Sequence, residues 1–383
     1  MKISINLKII TLMLCIVSFF PPLVLDFTSY GKYLDYLFIG TKLVVTVWYG
    51  VIYLIYYKKN FLDFWIALFL ISQIISASQA ATLTTGYIVG QLFLFAFYLF
   101  VKINLEDSPE QLLSSLFYVF MSYLVFQVMS QVFYTNGFDP KYPYGDNRAY
   151  FLGRKNNATP YLLYAFACYY LLNKKMTKII SVKEIAFLIF AFIISILTGS
   201  STTLVCFAVA TLIKFLGISE KVGNTYTKSV AGIYIFLSSV ILSSENQLIR
   251  SLMGLIFEKS SFSGRTEIWQ LAISYFKENF WFGHGLDISF IPWTNGAIVY
   301  SAHNTLLDIL ARYGVITGGI FLVILLSQVL FKTRLKYRTL LALFISFLMY
   351  ALMENSSTIM IILIISTTYY LNLKMGESDA KIH

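Results

Sequence analysis

The chain has 383 residues, of which 58% are hydrophobic and only 13% charged. That leaves too little polar surface to clothe a soluble globular fold of this size, so the missing surface faces lipid. The formal net charge of +10 does not point to nucleic acid, because the basic residues form no single aromatic-interleaved surface; they follow membrane topology instead.

A spanning helix needs about 20 mostly apolar residues, and such stretches recur along the whole chain. The pattern predicts an all-α, polytopic integral membrane protein with spans at 7–25, 34–56, 62–79, 87–102, 111–134, 158–173, 184–199, 201–218, 228–244, 314–331, 338–353 and 355–373. These twelve spans form one membrane domain over 1–383, with extracytoplasmic loops at 135–157 and 245–313; the larger loop carries short amphipathic helices. The first apolar run follows Lys2 and Lys8 and ends in Phe19-Phe20-Pro21-Pro22 without a small-residue cleavage site, so it reads as an uncleaved span. Cys15, Cys168 and Cys206 all fall inside apolar segments, at no spacing that suggests metal or redox chemistry.

With both termini in the cytoplasm, 18 of the 29 Lys and Arg lie inside, which the positive-inside rule favours. Nine of the remaining eleven concentrate in the two long outer loops: Lys141, Arg148, Arg154, Lys155, Arg250, Lys259, Arg265, Lys277 and Arg312. Long loops escape the charge rule, which is one account of them; an anion-binding surface is the other. Ionisable groups are scarce in mid-span, which weakens a carrier reading.

In the loop at 135–157, Lys141, Arg148, Arg154 and Lys155 mix with Phe138, Tyr142, Tyr144, Tyr150 and Phe151. Aromatic faces stack on sugar rings while cations hold phosphate or acidic sugars, a composition that suits a glycan. An interfacial aromatic belt accounts for the tyrosines equally well. Thr198-Gly199-Ser200-Ser201-Thr202-Thr203 reads as a tight outer turn between two spans.

The loop at 245–313 contains a helix start at Ser263-Gly264-Arg265-Thr266-Glu267, with Ser263 or Gly264 as the cap. Ile268, Leu271, Ala272, Tyr275 and Phe276 then recur at helical spacing, and such a helix can lie on the membrane surface. Its N-terminal N–H groups together with the Arg265 guanidinium would make a diphosphate site; pairing of Arg265 with Glu267 or a lipid headgroup is the plainer alternative. After Phe282-Gly283-His284-Gly285, a second helical pattern opens at His303-Asn304 and reaches a stop or bend at Gly314. His303 thus stands at a helix N-terminus, where the dipole favours the neutral imidazole that a base needs. Glu354, in Met353-Glu354-Asn355-Ser356 between the last two spans, reads more readily as an interfacial acid than as a second site carboxylate.

Ser263-Gly264-Arg265-Thr266-Glu267-Ile268-Trp269, Asn279-Phe280-Trp281-Phe282-Gly283-His284-Gly285, His303-Asn304-Thr305-Leu306-Leu307 and Tyr313-Gly314-Val315-Ile316 occur in this order. They resemble the O-antigen ligase and Wzy-type polysaccharide polymerase family, closely over about 263–320 and again at Arg154-Lys155-Asn156-Asn157-Ala158. The resemblance implies a bacterial cytoplasmic-membrane glycosyltransferase acting outside the cytoplasm on a polyprenyl-diphosphate-linked glycan, with no cofactor, nucleotide sugar or required metal. It implies that Arg265 handles the donor diphosphate and that His303 assists the attacking hydroxyl. The resulting catalytic set is His303 and Arg265, and the substrate-binding set is Arg148, Arg154, Lys155, Glu267 and Asn304. The expected partners are the lipid-linked oligosaccharide donor and acceptor and membrane lipid, with flippase and chain-length regulator proteins beside them and no nucleic acid.

The sequence departs from the family pattern where an arginine often follows serine in the turn at Ser200-Ser201, and where Arg312 stands in place of an acid before Tyr313-Gly314. His284 replaces a commoner small or apolar residue. The reading is a polymerase of lipid-linked repeat units for a capsule, O-antigen or exopolysaccharide. The alternatives are a ligase with another acceptor and a flippase or exporter of lipid-linked sugars.

Overall fold

The computed structural model describes residues 6–139, 148–173, 181–215, 228–229, 232–235, 263–291, 298–330 and 338–380. Lys141, Tyr142, Tyr144, Arg250, Lys259 and most of the expected span at 228–244 lie outside the described residues. Among the described residues the chain is mostly helical, and extended pairing is limited to isolated bridges at Tyr150–Gly153 and Phe290–Val299.

The helices are α1 (Leu7–Phe19), α2 (Gly31–Tyr56), α3 (Phe61–Gln79), α4 (Thr85–Asp107), α5 (Pro109–Phe133), α6 (Ala158–Leu172), α7 (Val182–Leu197), α8 (Ser201–Phe215), α9 (Ser263–Glu278), α10 (Thr305–Leu330), α11 (Arg338–Met353) and α12 (Thr358–Ala380). Five of them, α2, α3, α4, α5 and α10, are long and apolar enough to cross a membrane; α1, α8, α11 and the Thr358–Lys374 part of α12 are shorter apolar helices. The expected span at 7–25 ends early, at Phe19. Pro21 disfavours helical backbone in the residue before it, and the chain continues as a 3-10 turn over Leu23–Phe27.

Helix starts follow from local chemistry. Asn60 and Asp63 form a reciprocal capping box on α3, Thr84 accepts from the Tyr87 N–H on α4, Ser181 accepts from the Glu184 N–H on α7, and Pro109 opens α5. Burial sorts the helices into centre and rim. α6 and α11 are buried along most of their length, whereas α2 exposes Leu37, Val44, Val47 and Leu54 along its outer face. A helix apolar all round suits the interior of a bundle, and one with a bare apolar flank suits its lipid-facing edge. The main packing pairs are α5 with α6, α8 with α11, α3 with α10, α4 with α12, and α2 with α4.

One charge pair is buried at an end of this bundle. Lys102 Nζ lies 2.7 Å from Asp63 Oδ2, and both side chains are buried. Asp63 also accepts from the hydroxyls of Tyr53 at 2.7 Å and Tyr370 at 3.1 Å, and from that of Tyr98. The pair ties α2, α3, α4 and α12 together at the end assigned to the cytoplasm by the charge rule, and its hydrogen bonds satisfy groups that lipid could not.

On the opposite side α9 docks on the first turns of α10. Ile268, Trp269, Ala272 and Ile273 bury against Ile288, Phe290, Leu307 and Ala311, with Leu271 and Tyr275 half-buried beside them. The apolar face expected to lie on the membrane is therefore covered by protein, and each such aliphatic side chain contributes about 1.5–3 kcal/mol when removed from water.

α10 bends at Gly314, whose φ of +72° and ψ of −175° break the helix. Around the bend the preceding loop supplies partners for two carbonyls and one N–H, and Ser76 Oγ donates to a third carbonyl, that of Tyr313, at 2.9 Å. His284 N–H donates to Ala311 O at 3.0 Å, Gly285 N–H donates to Arg312 O at 2.8 Å, and Val315 N–H donates to Phe280 O at 2.8 Å. Both crossing residues must be glycine: a Cβ on Gly283 would meet the Arg312 carbonyl at 2.4 Å, and one on Gly314 the Trp281 oxygen at 2.2 Å.

Candidate functional site

The site is built where the start of α10 meets the end of α11. Asn304 caps α10 by accepting from the Leu307 N–H at 2.9 Å, and its amide donates to Leu352 O at 3.1 Å. Thr305 Oγ1 donates to Glu354 O at 2.9 Å and accepts from the Ser356 N–H at 3.0 Å. Together these contacts bring His303 and Glu354 side by side.

His303 Nδ1 lies 3.0 Å from Glu354 Oε2. As a carboxylate Glu354 can only accept, so Nδ1 carries the hydrogen and Nε2 of the neutral ring carries the lone pair. The Glu354 side chain is 7% exposed and that of His303 28%: the acid is sheltered and the ring reaches toward the open side. The backbone of His303 adopts φ +48°, a left-handed conformation that costs a side-chain-bearing residue on the order of 1 kcal/mol. It persists because the residues on either side are tied down.

The other oxygen of Glu354 gathers two more segments. Arg265 Nη2, in the first turn of α9, donates to Oε1, and so does the amide of Asn156. The Asn156 Oδ1 in turn accepts from Ser200 Oγ, and Ser200 accepts from the Thr203 N–H at 3.1 Å to cap α8. One buried carboxylate thus joins the loop before α6, the turn before α8, α9 and α10.

Behind His303 lies a second polar knot. Asp308 Oδ1 accepts from the Ala302 N–H at 2.8 Å, while its Oδ2 accepts from Asn355 Nδ2 at 3.0 Å and from Arg312 Nε at 2.9 Å. Arg312 also donates to Leu286 O at 2.7 Å and to Tyr300 O.

Of the residues singled out in the sequence, His303 and Arg265 meet on Glu354. Glu267 is buried in the same turn of α9 as Arg265. Asn304 is fully buried, with both ends of its amide committed to the backbone, so it serves the helix end rather than the open side. Arg154 is exposed and Lys155 half-buried in the segment leading to Asn156, while Arg148 donates to Thr135 O at 2.6 Å at the far end of that loop. His284 packs against Tyr275 and lies 3.7 Å from Glu278, apart from the Glu354 cluster.

Glu354, Asn156 and Ser200 are the members that sequence reasoning underrated. Glu354, taken there for an interfacial acid, is the hub; Ser200, read only as part of a turn, both caps α8 and holds Asn156. The available signal for Glu354 was an acid in a very short connection between two apolar helices.

Residues 186–322 match the O-antigen ligase family model, in keeping with the resemblance carried by the motifs. No curated protein and no solved structure matches the chain. Over that stretch the chain is similar to O-antigen ligases, and its long apolar helices are those of a membrane protein.

Proposed function

We propose that this enzyme polymerises polyprenyl-diphosphate-linked oligosaccharide repeat units on the outer face of the bacterial cytoplasmic membrane, as one membrane domain with twelve spans and both termini inside. The observation that carries the reading is Glu354 holding the imidazole of His303 on one oxygen and the guanidinium of Arg265 on the other.

In this reading the acceptor's sugar hydroxyl attacks the anomeric carbon of the donor glycan. A new C–O bond forms as the bond from that carbon to the diphosphate oxygen breaks, and the hydroxyl proton passes to His303 Nε2. Glu354 fixes the tautomer that leaves Nε2 free of hydrogen and stabilises the imidazolium that results. Arg265, with Arg154 and Lys155 on the neighbouring loop, offsets the charge gathering on the departing polyprenyl diphosphate. Because diphosphate is a good leaving group, the step calls for neither a metal nor a covalent nucleophile. Arg148 would contribute a further cation for the glycan, and flippase and chain-length regulator proteins would supply and terminate the chain.

Transfer of a finished glycan to another acceptor is the second reading, favoured by the ligase description of the matching family; it uses the same groups. The test compares wild type and His303→Ala in cells lacking the native gene, with lipid-linked and surface glycans resolved on gels. Accumulation of single repeat units outside the cytoplasm supports polymerisation. Chains of normal length that fail to reach their final carrier favour ligation, and units retained on the cytoplasmic side would overturn both.

A further inference from the structure

Asp308 is bonded to a residue adjacent in sequence to each member of the His303–Glu354 pair. Its Oδ1 accepts from the N–H of Ala302, which directly precedes His303, and its Oδ2 accepts from the side chain of Asn355, which directly follows Glu354. The two catalytic segments are separated by about fifty residues of chain, and Asn304 and Thr305 tie them together on the C-terminal side of His303, through Leu352 O, Glu354 O and the Ser356 N–H. The buried Asp308 carboxylate adds the crossing that reaches the N-terminal side of His303, where Asn304 and Thr305 do not act. Arg312, one helical turn on, fixes the rotamer of that carboxylate through Nε and braces the loop on either side through Leu286 O and Tyr300 O.

An acid in the first turn of a helix would also favour the helix dipole, but that role needs no partner on Asn355 or Ala302. The arrangement here is more specific. His303 sits in left-handed backbone, a state that its neighbours must enforce, and the Ala302 N–H bond is the enforcement on its N-terminal side, as the Asn304 cap is on its C-terminal side.

We propose that Asp308, held by Arg312, is a positioning residue that sets the His303–Glu354 geometry from behind by bridging Ala302 and Asn355. This rests on the proposed role of His303 and Glu354 and adds to it a residue that acts only through them. The polarity of Arg312 also follows: a cation four residues after Asp308 completes this bridge, where an acid would repel it.

The experiment uses the full chain purified in lipid nanodiscs, with lipid-linked oligosaccharide extracted from cells lacking the gene as the substrate. Wild type, His303→Ala, Asp308→Asn, Asn355→Ala, Glu354→Gln and the Asp308→Asn/Glu354→Gln double variant are compared. Asp308→Asn keeps an acceptor for Ala302 but presents a donor to Asn355 and Arg312, and kcat should fall by about 10- to 100-fold with KM little changed, as for loss of an orienting partner. On the Glu354→Gln background the same change should cost far less, because residues acting through one pair are not additive. Asn355→Ala, in a half-exposed connection, should lower kcat in the same direction.

Multiplicative losses in the double variant, or a wild-type kcat in Asp308→Asn or Asn355→Ala, would overturn the proposal. If Asp308→Asn does not insert, Asn355→Ala decides alone by the same criterion. Full activity in Glu354→Gln and His303→Ala would instead remove the reading of the site on which the proposal rests, a result distinct from the failure of Asp308 as a bridge.

Discussion

Glu354 Oε2 accepts from His303 Nδ1 at 3.0 Å while its other oxygen holds Arg265, so a group poised to take a proton and a group suited to a diphosphate are tied to one sheltered carboxylate. The consequence is mutual: the acid orients the base, and each cation-capable neighbour limits where the acid can turn. Oriented groups of this kind contribute through geometry held before the reaction rather than through strength of binding.

Replacement of Glu354 should separate these duties. Glu354→Gln keeps the shape and an acceptor oxygen but removes the charge, and we expect turnover to fall by about 10- to 100-fold with the protein still folded. Glu354→Ala additionally strands Arg265 and Asn156 without their shared partner, so it should also lower the thermal midpoint. Turnover of extracted lipid-linked oligosaccharide and an unfolding curve in detergent check the two parts. Equal turnover in wild type and Glu354→Gln would contradict the assigned orientation of His303.

Arg265→Lys should be costly despite the preserved charge. An ammonium lacks the planar fork that can address a carboxylate and a phosphate oxygen together. We expect kcat/KM for the lipid-linked donor to drop by at least roughly tenfold, with inhibition by added inorganic diphosphate weakened in parallel. Unchanged inhibition by diphosphate would show that Arg265 does not face the leaving group.

Gly314→Ala should destabilise the outer loop more than the bundle. The residue sits at φ +72° and its new Cβ would meet the Trp281 oxygen at 2.2 Å, so the loop from Phe280 to Gly285 must leave the bend of α10. Strain of this type costs on the order of 1–3 kcal/mol before the lost contacts are counted. Hydrogen exchange at His284, Gly285 and Val315, whose N–H groups cross this junction, should rise well before exchange in α3 or α6.

Lys102→Met should leave Asp63 buried without its cation, and breaking such a pair from one side is expected to destabilise by about 3–5 kcal/mol. The double change Lys102→Met with Asp63→Leu should recover part of that loss, since no uncompensated charge remains. Thermal unfolding in detergent checks both. Protein that does fold should keep wild-type KM for the glycan donor, because this pair lies at the other end of α3 and α4 from the Glu354 cluster.

Composition and periodicity were enough to read an all-helical membrane protein, because lipid imposes long apolar helices and leaves few alternatives. Arg265, His303 and the bend at Gly314 were legible too, since helix starts and glycine bends are written in adjacent residues. Helix ends were less so: Pro21 and Pro22 stop α1 at Phe19, and Asn304 turned out to be committed to a helix cap, which spacing alone does not distinguish from a binding role.

What the sequence by itself determined, then, is the material in contact with lipid and the local chemistry of each helix start. What only the tertiary structure decided is which lone polar residues meet: Asn156, Ser200, Arg265, His303 and Glu354 are scattered over about two hundred residues of chain. A carboxylate between two apolar helices is chemically the same residue whether it faces headgroups or three partners. Its role depends on long-range packing of α10 against α11 and of α9 against α10, and no local periodicity encodes that distance.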